Sequence, residues 1–427
     1  MGRFASRAAQ RTTSSCESVF PAAASARASS VIWWRARSSR RATFFARAEE
    51  AWSVAVSRRS HDFPQVRKQR GAQQIGGADV CVTETTQIAL MDIALVVNLN
   101  ARRGSQRFAD FAQQALPRSR VVATRSAEDV TRFVDGLGKL GVPRVLLSGG
   151  GDGTAIGLLD ALRARSHEFP TLGIVKLGTG NAWASSTKAP SPRQALKTVA
   201  LAMDRGHTSL PTSDFWLLEV EGRLTPFAGS GWDAEVLHDY KLQRQAAPEK
   251  LKRFVEGAPG YFTSLFTRTV PRNILSRSRP QVRLINLGPD ALTFDPHGKV
   301  VQVPNSGPGT VLYEGPYGVA GAGTSSELGF GFKALHFART LPGRMHARVY
   351  AAGPAAATLR LPQLWKGQHP LPHSHDFLLT HCRWEFDREV PVEIGGDAIG
   401  LRQSVEYRVA PQVVRVVDWA KLGQQVN

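Results

Sequence analysis

From Met91 onward, apolar and polar positions alternate in two rhythms that replace one another along the chain. The run Ile93-Ala94-Leu95-Val96-Val97, closed by the polar Asn98, predicts a buried strand over 92–98. Over 105–116 the spacing lengthens, and Phe108, Phe111, Ala112, Ala115 and Leu116 fall on one helical face. Residues 120–124 read as a short strand. Ser126 then opens a helix as an N-cap, with Glu128 and Asp129 in the acidic first turn that a helix N-terminus favours. Its apolar face is Val130, Phe133, Val134 and Leu137, and Gly141-Val142-Pro143 stops it. A strand over 144–147, a helix over 154–165, a strand over 172–176 and a helix over 191–204 follow. Strands spaced by helices predict a mainly parallel sheet with crossover helices.

After Pro211 the helical rhythm gives way to short β-branched and aromatic runs at 215–220, 282–286, 311–313, 332–337, 346–351, 377–386, 390–394 and 404–409. Glycine and proline punctuate them, which predicts an antiparallel, sandwich-like β domain. One helical insertion is expected over 248–270, and residues 413–422 are expected to return to the first domain. No internal repeat is present. The expected organisation is an α/β domain over 91–211, a β-rich domain over 212–411, and a tail over 412–427 that rejoins the first.

Residues 1–90 are rich in Arg, Ser and Ala, poor in acids and weakly periodic. Three origins compete: an organelle transit peptide, a basic interfacial anchor in which Trp33, Trp34, Phe44, Phe45 and Trp52 interleave with arginines, or translated sequence upstream of the natural start. The third is favoured, because Met91 directly precedes the first convincing strand and the chain has only 4 methionines. In each case the segment is expected to be disordered in isolation. The 427 residues, 42% hydrophobic and 21% charged, suffice for two cored domains. No stretch reaches the ~18–20 apolar residues of a membrane span, so a soluble or peripheral body is expected. A formal charge of +19 points to anionic partners such as nucleotide or lipid headgroups, while no nucleic-acid motif appears. Cys16, Cys81 and Cys382 are too scattered for a disulfide framework or a zinc site, which suits a reducing, cytoplasmic setting. His369, His373, His375 and His381 lie near prolines without a second ligand cluster, and are read as a solvated loop.

The candidate chemistry sits at two strand ends. Ser148-Gly149-Gly150-Gly151-Asp152-Gly153-Thr154 follows one apolar run, and Leu177-Gly178-Thr179-Gly180-Asn181 follows the next. A strand ending in glycines lets backbone N–H groups approach an anion with no Cβ in the way. Two such turns joined by one helix make a composite phosphate cradle on adjacent strands, the pattern of a nucleotide-dependent phosphotransferase. Gly150, Gly151, Gly153 and Thr154 are placed to wrap phosphates at the start of the helix, with Asn98, Thr124, Thr179 and Asn181 along the same sheet edge.

These residues resemble the diacylglycerol kinase catalytic family, which includes bacterial lipid kinases, sphingosine kinases and ceramide kinases, with NAD kinases as distant relatives. The resemblance rests on Val97-Asn98-Leu99-Asn100 with Gly104, Gly150-Gly151-Asp152-Gly153-Thr154, Gly178-Thr179-Gly180-Asn181-Ala182, Gly229-Ser230-Gly231-Trp232-Asp233-Ala234-Glu235-Val236 and Ile394-Gly395-Gly396-Asp397, in the family's order across 91–427. Four positions depart from it. Leu99 and Lys176 replace common prolines, Ala182 replaces an Asp in the manner of sphingosine kinases, and Asp397 stands where bacterial members carry Glu.

The resemblance implies an NAD kinase-like α/β fold beside a β-rich domain, and an ATP- and Mg²⁺-dependent kinase acting on a lipid hydroxyl at a membrane surface. It assigns Asn98, Asn100, Thr124, Gly178, Thr179 and Asn181 to the nucleotide, beside the cradle glycines and Thr154. Asp397 is then the first candidate for activating the acceptor hydroxyl. Asp152 is divided between general base and magnesium organiser, and Asp233 between holding the acceptor's polar head and capping a turn. No magnesium ligand is assigned. A homodimer is compatible with the sequence, which gives no oligomeric state. Two rivals stand beside this reading: an NAD kinase-like enzyme with a soluble acceptor, and an inactive nucleotide- or lipid-binding homologue.

Overall fold

The computed structural model describes residues 92–248, 260, 263–275, 278–329 and 331–426. The expectations for 1–90 and for most of the helical insertion lie outside these residues.

The first strand, β1 (Ile93–Asn98), has five consecutive side chains with no exposed surface. A strand apolar on both faces needs helices on both, and α1 (Gln106–Ala115), β2 (Arg120–Thr124), α2 (Ala127–Leu140), β3 (Val145–Gly150), α3 (Asp152–Ala164) and β4 (Thr171–Lys176) alternate accordingly. Ser126 forms a full capping box with Asp129 at the start of α2. A one-turn helix, α4 (Ala182–Ser186), and α5 (Pro192–Asp204) follow β4. The sheet is completed by β5 (Thr212–Phe215) and by the C-terminal strand Val414–Val417, in the order β2-β1-β3-β4, C-terminal strand, β5. All pairs are parallel except the last, where Val417 faces Thr212 and Val414 faces Phe215. The α/β layer therefore takes in the C-terminal strand and also Thr212–Phe215, the first residues of the expected 212–411 segment. Each fully buried Leu, Ile or Val of this layer contributes roughly 1.5–3 kcal/mol.

The remaining strands join in one twelve-stranded sheet, antiparallel throughout. It begins with β6 (Leu218–Val220), β7 (Arg223–Thr225) and β8 (Phe227–Gly231), and its longest members are the hairpin strands His381–Ile394 and Asp397–Val409. The run at 215–220 is not one strand: it breaks at Trp216 and Leu217 because its halves serve different sheets. The run at 377–386 likewise divides at Thr380, and that at 390–394 is the end of a longer strand. Residues 332–337 form turns rather than a strand. Their aromatic side chains are spent on ring packing instead: Phe332 stacks on Trp365 at 5.1 Å and Phe337 on Phe294 at 3.5 Å. A helix unannounced by the expected insertion, α6 (Trp232–Ala246), leaves β8 directly, through Gly231 at φ +112°.

The four histidines are not one solvated loop. His369 bonds the Asp295 carbonyl at 2.8 Å, His375 packs 4.7 Å from Tyr313, and His381 pairs with Glu406 at 2.6 Å. Among the described residues, no helix is long and apolar enough to cross a membrane.

Candidate active site between the glycine turns and a β-hairpin

The two glycine turns are in direct contact. Both Leu177 and Gly178 donate their backbone N–H to the Gly150 carbonyl, at 3.0 and 2.9 Å. A Cβ on Gly178 would sit 2.4 Å from the Gly151 Cα, and one on Gly150 would sit 2.2 Å from the Thr154 hydroxyl oxygen. These glycines are therefore required by close approach within the protein as well as by any ligand. Asn181, in the left-handed region at φ 50°, closes the second turn: its Oδ1 accepts from Gly178 N–H at 3.0 Å and its Nδ2 donates to Gly178 O at 2.7 Å.

Asp152 ties one turn to the other. Its two carboxylate oxygens accept from Ala182 N–H at 2.8 Å and Trp183 N–H at 2.9 Å, the first amides of α4. Burial raises its carboxyl above the ordinary range, against those two amides, which pull it down. On the neighbouring strand, Asn98 donates from Nδ2 to the Thr154 hydroxyl at 3.0 Å and accepts from Asn100 N–H at 2.9 Å. The Asn100 side chain donates to Arg125 O. Thr124 is buried, and its carbonyl accepts from Leu99 N–H at 2.8 Å. Asn98, Asn100, Thr124, Thr154 and Asn181 thus brace the strand ends. Gly153 and Gly180 are the open positions: no atom lies within 4 Å of a Cβ built on Gly153, and the nearest to one on Gly180 are 4.0 Å away. The amide of Gly153 lies in the first turn of α3, where helical N–H groups lack an intrahelical acceptor and favour an anion.

A cavity of about 410 Å³ starts at these positions. Its lining includes Asp152, Gly153, Thr179 and Gly180 of the glycine turns and Glu393, Gly395 and Gly396 of the hairpin. Gly395 rests on α3, 3.0 Å from Ile156 Cδ1 as measured from its built Cβ. The lining also includes the apolar side chains of Leu237, Leu265, Phe332, Leu361 and Trp365. Its described lining includes three acids, Asp152, Asp233 and Glu393, and no Lys or Arg.

Asp397 is not among the lining residues. The Gly395-Gly396 turn, at φ +60° and +89°, carries it to the outside, where its side chain is 66% exposed and lies 3.6 Å from Arg223. The acid that the hairpin turns inward is Glu393, 2% exposed, whose Oε2 accepts from Gly396 N–H at 2.6 Å. Its signal in the sequence was an acid set inside the apolar run Pro391-Val392-Glu393-Ile394, directly before two glycines.

Asp233 stands in the first turn of α6, and its Oδ1 is buried without a hydrogen-bond partner. Burial pushes its carboxyl up to about 7, opposed by the amides of Asp233 and Ala234. Burial also drives Glu393 well up, and the charge of Asp233 adds to the rise. A carboxyl raised in the folded state binds its proton more tightly there than when unfolded, so its burial weakens folding as pH climbs from about 4 to about 7. Asp233→Asn is therefore expected to stabilise the fold by a few kcal/mol at pH 8 and to be neutral below pH 4. Thermal unfolding at both pH values checks this, and an equal Tm for variant and parent at pH 8 would contradict it.

Among the described residues, no three His, Cys, Asp or Glu side chains are grouped to hold a metal ion.

Residues 93–210 match the profile of the diacylglycerol kinase catalytic domain. The chain is similar to diacylglycerol kinase 2 of Arabidopsis thaliana, 26% identical over 190 residues, which are 40% of this chain and 25% of that protein. It is also similar to the probable lipid kinase YegS of Escherichia coli, 39% identical over 77 residues, 18% of this chain and 25% of that one. These matches thus span about a quarter of the length of either relative. In fold, the chain resembles a crystal structure of a candidate diacylglycerol kinase from Bacillus anthracis, with a TM-score of 0.54 and 16% identity over 79% of this chain and 98% of that one.

Proposed function

Proceeding from a diacylglycerol kinase catalytic domain at residues 93–210, we propose that this protein is an ATP-dependent kinase that phosphorylates the hydroxyl of a lipid. The observation that carries the reading is one cavity whose lining combines glycine-turn residues and acids with a set of large apolar side chains. Phosphoryl transfer is mostly positioning and charge stabilisation. Gly151, Gly153, Thr179 and Gly180, which line the cavity, receive the nucleotide phosphates, and Gly150, Gly178, Thr154, Asn98, Asn100, Thr124 and Asn181 hold the strand ends that present them. Asp152 keeps the two turns in register. An acyl or alkyl chain lies along Leu237, Leu265 and Leu361, which sets its hydroxyl beside the acids of the lining. Such a substrate is reached from a membrane surface, and the protein works there as a peripheral enzyme. Magnesium, when bound, would supply charge neutralisation of the nucleotide phosphates.

The test offers radiolabelled ATP and magnesium to the full chain with diacylglycerol, a sphingoid base, ceramide or NAD in mixed micelles. Label in a lipid extract is the expected result. Label in NAD alone would replace the lipid with a soluble acceptor, and no label in any acceptor would remove the kinase reading.

A further inference from the structure

We propose that Asp233 and Glu393 act together as a two-carboxylate base that takes the proton from the acceptor hydroxyl, a proposal that rests on the kinase reading above. The hairpin and α6 bring the two acids together across 160 residues of sequence. Glu393 pairs with Gly229 in the ladder between β8 and the strand His381–Ile394, so the two residues share a face of the sheet. Gly229 has no side chain, and the Asp233 Oδ2 lies 3.2 Å from the position its Cβ would take. Asp233 thus fills the place beside Glu393 that a larger residue at 229 would occupy.

Both acids line the same cavity as the first glycine turn. Glu393 is almost wholly buried, and the Asp233 Oδ1 is buried with no partner in the protein, leaving one acceptor oxygen for a bound hydroxyl. The other carboxylates near the turns are occupied elsewhere: Asp152 by two amides and Asp397 by solvent and Arg223. The groups facing the pair are Glu235 on α6, Asp397 after the hairpin turn, Asp152 of the same cavity lining, and the phenols of Tyr240, Tyr317 and Tyr407. None is a cation. Two close carboxylates without a cation cannot both stay ionised near neutrality, so they share a proton and titrate as a pair. Once the first of the two has ionised, the pair carries one proton and one negative charge.

In the reaction, the hydroxyl O–H bond breaks and its proton goes to the ionised carboxylate of the pair. The oxygen's electron pair forms the new bond to the γ-phosphorus. The bond from that phosphorus to the β–γ bridging oxygen breaks, and its electrons leave on ADP. The pair, now neutral, returns the proton to water after product release.

Turnover in mixed micelles is measured against pH for the parent chain, Glu393→Gln, Asp233→Asn and Glu393→Asp, alongside ATP binding. The parent rate should fall as pH drops through about 7. Glu393→Gln and Asp233→Asn should each lose on the order of a hundredfold in kcat with unchanged ATP affinity, and Glu393→Asp should recover part of the rate with a displaced acid limb. A pH-difference infrared spectrum, taken without substrate, should show a protonated-carboxyl band that weakens through about pH 7, and Asp233→Asn should lose that pH 7 step. Full turnover in Glu393→Gln, an acid limb unmoved in Glu393→Asp, or the lack of that band overturns the pair while leaving the kinase reading intact. A parent chain that labels no lipid overturns the kinase reading itself, and the base assignment with it.

Discussion

Gly178→Ala is expected to abolish nucleotide binding and to cost several kcal/mol of stability. The added Cβ would lie 2.4 Å from the Gly151 Cα and 2.9 Å from its nitrogen, both backbone atoms that no rotamer change can move. Overpacking against side chains typically costs 1–3 kcal/mol because they adjust. Here the two turns themselves must separate, and with them go the bonds from Leu177 and Gly178 to the Gly150 carbonyl. The Asp152 contacts to Ala182 and Trp183 would be strained by the same movement. Gly157→Ala is the control. It lies on α3 with nothing within 4 Å of its Cβ, and alanine there favours the helix by up to about 1 kcal/mol. Titration with a fluorescent ATP analogue and thermal unfolding distinguish the two. Nucleotide affinity in Gly178→Ala equal to that of Gly157→Ala would show that the turns do not depend on contact.

Asp376→Ala is expected to be the most destabilising single substitution in the β sheet, at roughly 3–5 kcal/mol. Arg348 and Asp376 face each other in the ladder between the strands Met345–Tyr350 and Ser374–Leu379. Arg348 is 2% exposed, and its Nε donates to the Asp376 carboxylate, which also bonds His346 at 2.8 Å and Ser374 at 3.0 Å. Burial alone would raise the Asp376 carboxyl, but Arg348 and His346 hold it far below the ordinary range. Removing the acid leaves a guanidinium buried without its counter-charge, although it keeps its bond to the Ala334 carbonyl. A loss of this size would lower Tm on the order of 10 °C. Arg348→Met combined with Asp376→Leu should recover much of it, because the lone charge is then gone. Urea and thermal unfolding of the three variants check the cycle, and an Asp376→Ala protein as stable as the parent would refute it.

Much of the α/β layer was legible from local pattern. The Ser126 cap, the buried run of β1 and the glycine turns all depend on residues within a few positions of one another, and the structure keeps each of them. The β region was less legible. Residues 332–337 have the composition of a strand, yet their rings are used against Phe294 and Trp365, which are distant in sequence. Helix α6 begins where the turn at Gly231 sends the chain, and its first turn, Trp232 to Glu235, shows little apolar periodicity of its own.

By itself, the sequence determined where strands and helices alternate and that two glycine-closed strand ends would adjoin, because backbone preference and hydrophobic period are local properties. Only the tertiary structure decided which acids enter the cavity. Whether a carboxylate is buried depends on what packs over it, and for Glu393 that is set by Gly229 and Asp233, brought near by strand pairing and helix placement. Asp397, four residues further on, was carried into solvent by two glycines whose left-handed turn has meaning only once the hairpin is seated on α3.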